Sequence, residues 1–568
     1  MTILSRLLGW MLKLPPAVTR DVVVNRDIPV PMPDGAILLA DHYQPRLSAS
    51  LALSARASAP ADSAAPRPAP TILIRSPYGR AGIWGIMFGR PFAERGFQVF
   101  IQSCRGTFGS TGEFRPFVDD RADGLATLDW LERQPWYRGP LAMFGASYLG
   151  IAQWAIAPDA GERLGAMSCQ LTTAHLPSAI YPGGSFWLDA ALMWAGIVES
   201  QERGFLRSML AVNQAPRLLA KAAKQLPLRT ADELMVGKPL RYYREWADHS
   251  GPSDPFWEPV DFSARTGEIT APLLLLGGWY DVFLPQVIAD HLRMKRAGKT
   301  THLTIGPWPH FNNGWLAVAL QESIAWYRAH LLGDRAALRE QPVRVFVMGA
   351  GEWRDFPEWP PPGMHPERFY LQPGGGLSTE LPPTSEPDRY RYDPDDPTPS
   401  IGGSALSPNS GAKDNKPLLS RADVLVYTGA PLPRDTEIIG PVSAELFVES
   451  SLPHTDFFVR LCDAAPSGKT LNVCDGLLRL TPDNPPTDER GRRKVTIELW
   501  PTAYRFKRGH QIRVLVASGA HPRYARNPGS GEPLATATTL VAADQAIHHD
   551  PPSPSAVVLP IWPASPAR

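Results

Sequence analysis

The segment Gly145-Ala146-Ser147-Tyr148-Leu149-Gly150 sets a serine where it could act as a nucleophile. An apolar run, LAMF at 141–144, leads into it, and residues 149–157 have the composition of a helix behind it. A serine on such a strand-to-helix turn points outward, and the amide of the next residue faces the oxyanion that forms on attack. The pattern departs from G-x-S-x-G, because the second glycine comes one place late. Gly145 still supplies the small residue that the sharp turn needs two places before the serine. A serine hydroxyl is a weak nucleophile until a base takes its proton, so a histidine backed by a carboxylate must lie elsewhere in the chain. Asp281 follows the strand-like run LLLLGGWY, and His310 follows the next such run, in GPWPHF. The order Ser147, Asp281, His310 puts each residue after a strand, at the carboxyl edge of one sheet where catalytic groups of open α/β folds gather. His291 and His302 compete, but they fall in a predicted helix and at a strand entrance. Tyr78, just after TILIRSP, stands where a phenol could join the Tyr148 amide as an oxyanion donor; a packed tyrosine fits the sequence equally well.

The elements that must position these residues alternate in type. Strand-like runs at Ile37–Tyr43, Thr71–Arg75, Phe97–Ser103 and Leu141–Phe144 are interleaved with a helical period over Asp119–Gln134, set by Leu125, Leu128 and Leu131. Such alternation predicts βαβ units and a largely parallel sheet. Residues from Gln44 to Pro70, rich in Ala, Ser and Pro, read as a mobile loop between two strands. From Leu176 to Trp257 the texture is helical: Leu188, Leu192, Ala195 and Val198 share one face, and Phe205–Leu226 continues it, broken only by Pro216. This reads as a helical insertion ending in a proline-rich stretch, Gly251–Pro259, before strands resume at Ala271–Gly277 and Thr301–Gly306. After about Gln341, short β-like runs such as Val343–Met348, Ala444–Glu449, Lys494–Leu499 and Gln511–Ala517 suggest an all-β domain. Pro373–Lys416 reads as a long exposed connection. The glycine-rich RGTFGSTGEF, 105–114, lacks the Gly-Lys-Ser/Thr ending and the compact spacing of a phosphate loop. It reads instead as a tight loop supporting the site.

With 568 residues the chain is long enough for about three folding units. Its 57 basic side chains nearly balance 56 acidic ones, so no net field draws it to nucleic acid. Four scattered cysteines give neither a disulfide framework nor a paired zinc motif, although Cys462 and Cys474 could meet on neighbouring strands. Residues 1–16 predict a short amphipathic helix without a secretory cleavage site. No run approaches the ~20 apolar residues needed to span a bilayer. A soluble, cytoplasmic protein that is not integral to a membrane is the expectation, with self-association left open.

SPYGR, RGTFGSTGEF, GASYLG, GGWYDVF and GPWPHF stand in the order and approximate spacing of the cocaine esterase-like (CocE/NonD) hydrolases, relatives of X-Pro dipeptidyl-peptidases and α-amino acid ester hydrolases. VFVMGAGEWRDF, DFFVRLCD, CDGLLRL and WPTAYRFKRGHQIRV resemble that group's C-terminal β domain, so the similarity covers nearly the whole chain. The resemblance implies an α/β-hydrolase domain in two parts, 20–173 and 263–338, a helical cap at 174–262 and a jelly-roll-like domain at 339–568. It implies Ser147 as nucleophile, Asp281 as acid and His310 as base, with Tyr78 and the Tyr148 amide as oxyanion donors. Trp194 and Phe283 are similar to residues that line the acyl pocket, and neither metal nor organic cofactor is implied. The expected substrate is a small-molecule ester with a bulky or aromatic acyl group. An X-Pro dipeptide or α-amino acid amide is the alternative, which would use a cap carboxylate such as Asp189 or Glu199. A non-catalytic binding protein is the remaining class.

Overall fold

A continuous aliphatic run buries both faces only where helices cover it on both sides, and this requirement organises the first half of the chain. In the computed structural model, which describes residues 2–46, 69–201, 205–484, 487–489 and 491–563, ten strands form one sheet. They are β1 (Val22–Pro31), β2 (Ile37–Pro45), β3 (Thr71–Ser76), β4 (Gln98–Ser103), β5 (Leu141–Ala146), β6 (Leu164–Gln170), β7 (Leu273–Tyr280), β8 (Thr301–Pro309), β9 (Val343–Val347) and β10 (Glu352–Phe356). Their order across the sheet is β1-β2-β4-β3-β5-β6-β7-β8-β9-β10. Every pairing from β4 through β9 is parallel, and the antiparallel pairings lie at the two edges. Strands β3, β4 and β7 are buried at every residue. The helices Asp120–Glu132, Tyr148–Ala160, Leu284–Arg296 and Gly314–Leu332 pack on this sheet. An α/β-hydrolase sheet is thus continuous across β6 and β7, although about a hundred residues separate those neighbours in sequence.

That interval holds the cap, built on the helices Leu188–Ser200, Phe205–Ala222 and Arg241–Asp248. Pro216 does not break the second of these, as its composition suggests it should; the helix runs through it. Burial of Leu219 and Ala222 on the following turn offsets the hydrogen bond that a proline removes. The proline-rich stretch at the end of the cap folds as a 3-10 turn over Pro255–Val260.

Eleven further strands, from His365–Gln372 to Ala556–Trp562, form a second sheet. Its pairings are antiparallel except for a two-residue contact between Gly376–Ser378 and Leu425–Gly429. Two sequence readings differ here. Val343–Val347 joins the first sheet, parallel to β8, rather than the second. Pro373–Lys416 is not simply exposed: Tyr390 and Tyr392 are buried on a strand paired with Ala543–His548, Ala405 and Leu406 are buried further on, and backbone groups of the segment bond to Arg460, Asn472 and Asp189. Cys462 and Cys474 do lie on adjacent strands but remain free thiols. They face opposite sides of the sheet, into two separate apolar clusters, so no bridge can form. The expected N-terminal helix spans Thr2–Met11. Most of the Ala/Ser/Pro-rich loop, 47–68, falls outside the described residues. Among the described residues no helix is long and apolar enough to cross a membrane.

Candidate active site

Ser147 is the one residue between the end of β5 and the helix Tyr148–Ala160, and its backbone sits at φ 58°, ψ −124°. A side chain rarely takes that conformation unless the surroundings impose it. Here the Ser147 amide donates to Gln170 O at 2.9 Å, and its carbonyl accepts from Ile151 N at 3.0 Å and Thr172 Oγ1 at 2.9 Å. The two glycines of the motif have separate reasons. A Cβ at Gly145 would lie 2.2 Å from Leu149 Cβ, and one at Gly150 would lie 2.6 Å from Thr172. The late second glycine therefore serves a close approach to the end of β6, while Gly145 makes the turn itself possible.

Tyr148 is the first residue of its helix, so its amide has no acceptor one turn back. Its phenol anchors it from below: the oxygen accepts from Phe117 N at 3.1 Å and faces the Asp120 carboxylate, which pairs with the fully buried Arg75 at 3.0 Å. Burial pushes the Tyr148 hydroxyl well above its usual range, so it stays a neutral phenol. The glycine-rich loop supports the same region. Arg105 bridges Asp34 and Asp123 at 2.7 and 2.5 Å, and Phe114 lies 6.1 Å from the Tyr148 ring.

Asp281 follows β7 and His310 follows β8, which places both at the carboxyl edge beside Ser147. The His310 Nδ1 lies 2.6 Å from Asp281 Oδ2, and Asp281 Oδ1 accepts from Phe283 N at 2.9 Å. Both carboxylate oxygens are thus engaged, Asp281 is buried completely, and the imidazole is turned so that Nε2 is the nitrogen left for a substrate or nucleophile. Ser147 and His310 line one cavity. Tyr78 reaches the same place: its hydroxyl contacts Ser147 and accepts from Trp194 Nε1 at 2.9 Å. Burial pushes the Tyr78 phenol up to about 12, against a smaller opposing effect of those two hydrogen bonds, so it remains a donor at neutral pH. The competing histidines are elsewhere. His291 lies 3.3 Å from Thr301 Oγ1 and His302 packs on Trp326; burial draws them down to about 4 and about 3.

The cavity encloses about 540 Å³ of space outside the atoms, its open mouth included. Trp194 and Phe283, together with Trp187, line it. Phe117, Trp246 and Leu406 are among the wall residues that the sequence did not single out. Trp246 shares a helix face with Tyr242 and Tyr243, a spacing visible in YYREW. Leu406 had no signal, since it comes from the low-hydrophobicity connection of the β domain. Among the described residues no acidic side chain lines this cavity. Asp189 instead accepts from Leu406 N at 2.7 Å and Ser407 N at 3.2 Å, and Glu199 pairs with Lys238 at 2.7 Å.

Residues 50–312 match the X-Pro dipeptidyl-peptidase (S15) family, and residues 336–558 match the X-Pro dipeptidyl-peptidase C-terminal non-catalytic domain. The chain is 34% identical to a cocaine esterase of Rhodococcus sp. (strain MB1 Bresler) over 95% of its own length and 98% of that protein. Its fold is that of an aminopeptidase from a Thaumarchaeota archaeon, with TM-score 0.76 at 21% identity over 97% of each chain. An α-amino acid ester hydrolase superposes with TM-score 0.77 at 20% identity, over 96% of this chain and 97% of the other.

Proposed function

The chain belongs to the X-Pro dipeptidyl-peptidase (S15) family, as a serine hydrolase similar to cocaine esterase, and from that premise we propose that it hydrolyses carboxylic esters with bulky or aromatic acyl groups through Ser147. His310 Nε2 takes the Ser147 proton as the hydroxyl oxygen attacks the ester carbonyl. Asp281 holds the imidazole in the tautomer that can accept at Nε2 and stabilises the imidazolium that results. The tetrahedral oxyanion receives hydrogen bonds from the Tyr78 hydroxyl and the Tyr148 amide. His310 then returns its proton to the leaving alkoxide, and the acyl-enzyme forms. Water repeats the cycle, with His310 again first base and then acid, and releases the carboxylic acid.

The lining of the cavity carries the choice of substrate. A substrate with a free α-ammonium needs a carboxylate in the pocket, because a buried cation without a partner is strongly disfavoured. Asp189 and Glu199, two cap carboxylates that could have served, are held by backbone amides and by Lys238. Aromatic walls instead favour an apolar acyl group that loses water on entry. Turnover of an aryl benzoate beside an X-Pro anilide tests this directly. The expected result is a kcat/KM for the benzoate at least about 10²-fold higher, the discrimination expected when a charged group finds no partner. Faster cleavage of the anilide would overturn the ester reading.

A further inference from the structure

One helix of the cap reaches down to the Tyr78 segment at two points. Trp194 Nε1 donates to Tyr78 Oη at 2.9 Å, and Gln201 Nε2 donates to Pro77 O at 2.8 Å. Trp194 lies within Leu188–Ser200 and Gln201 is the C-cap of that helix, two turns further on. An indole N–H can only donate, so the bond from Trp194 fixes the Tyr78 oxygen as the acceptor in that pair. The single phenolic proton must then point elsewhere, and the other polar partner of this hydroxyl is Ser147. Gln201 meanwhile pins the backbone carbonyl just before Tyr78, so the residue is held at its tip and at its base.

We propose that Trp194 and Gln201 are positioning residues for the oxyanion donor: the cap helix sets the direction in which Tyr78 presents its proton, as well as forming an acyl wall. This inference rests on the reading of Tyr78 as an oxyanion donor. It adds that the cap, a separate element, supplies part of the catalytic geometry through two hydrogen bonds. The ring of Trp194 and its N–H have different tasks. The ring stacks near Tyr148, with centroids 6.4 Å apart and planes 8° from parallel, whereas the N–H acts only through Tyr78.

A double-mutant cycle on the full chain separates these tasks. Trp194→Phe keeps an aromatic wall and removes the donor. The expected result is a fall in kcat of about tenfold with KM changed by less than about twofold, a fraction of the 10²- to 10³-fold that loss of a whole oxyanion donor brings. In a Tyr78→Phe background the same substitution should cost no further kcat, because the group it positions is gone. Gln201→Met, which removes the second donor away from the acyl cavity, should show the same pattern and keeps the test decisive if Trp194→Phe fails to fold. A Trp194→Phe effect confined to KM, or equal losses with and without the Tyr78 hydroxyl, would overturn the positioning role while leaving Tyr78 as a donor. Tyr78→Phe at the wild-type rate would overturn both readings.

Discussion

Ser147 at φ 58° holds a conformation that a side-chain-bearing residue keeps only when its neighbours over-determine it. Its amide and carbonyl are fixed to the end of β6 and to the following turn, and these bonds hold Ser147 in that conformation. His42, remote from this site, shows how burial at one residue sets a global property. Its Nε2 lies 3.0 Å from Gln98 Oε1, its ring lies 3.8 Å from that of Trp136, and burial draws it down to about 4. Because the folded-state value is below the unfolded one of about 6.5, the unfolded chain binds this proton first as acid is added. Stability therefore falls as pH drops from about 6.5 through about 4, and this contribution is level above that window. At pH 5 the contribution is roughly 2 kcal/mol. Urea unfolding at pH 7 and pH 5 should show the wild type losing about 2 kcal/mol more than His42→Phe between the two. Equal losses in the two proteins would contradict the assignment.

At the scale of elements, the cap helix Leu188–Ser200 and its C-cap Gln201 meet the cavity, the Tyr78 segment and the β domain. Trp187 and Trp194 face the cavity, Gln201 holds Pro77, and Asp189 in the first turn receives the amides of Leu406 and Ser407. Removing the Asp189 carboxylate leaves two buried N–H groups without acceptors, at about 1–3 kcal/mol each. Asp189→Ala is expected to lower stability by about 2–6 kcal/mol on that basis and to raise KM for a bulky-acyl ester, because Leu406 is no longer held against the cavity. An unchanged KM alongside lowered stability would show that Leu406 keeps its place without this contact. Sequence reasoning found this helix from the spacing of Leu188, Leu192, Ala195 and Val198, but it could not assign Asp189, because a carboxylate near a cavity and one that fastens a distant loop look identical in a string of residues. Ser147, Asp281 and His310 were legible as strand-end residues of one sheet for the opposite reason. Each follows a strand whose aliphatic composition announces it, and strand ends in a parallel sheet converge on one edge. Pro216 shows the limit of local rules, since tertiary burial of its neighbours outweighed the preference it expresses alone.

Across the whole molecule, the cavity is assembled from three regions far apart in sequence. The α/β sheet supplies Ser147, His310 and Phe283, the cap supplies the tryptophans, and the β domain supplies Leu406. Contacts between these regions are close. Gly183, at φ 63°, lies where a Cβ would stand 1.8 Å from Leu477 O, and the Tyr280 hydroxyl donates to Asn472 O at 3.1 Å. Such long-range complementarity is what the sequence could not display: Leu406 sits in a polar connection, and only the docking of the β domain makes it a wall of the pocket. The central claim is that this assembly serves one nucleophile. Incubation with a fluorophosphonate followed by peptide mass mapping tests it most directly. The expected result is a single stoichiometric adduct on Ser147, absent in Ser147→Ala, whose ester turnover falls at least about 10³-fold. An adduct on another serine, or undiminished hydrolysis by Ser147→Ala, would contradict it.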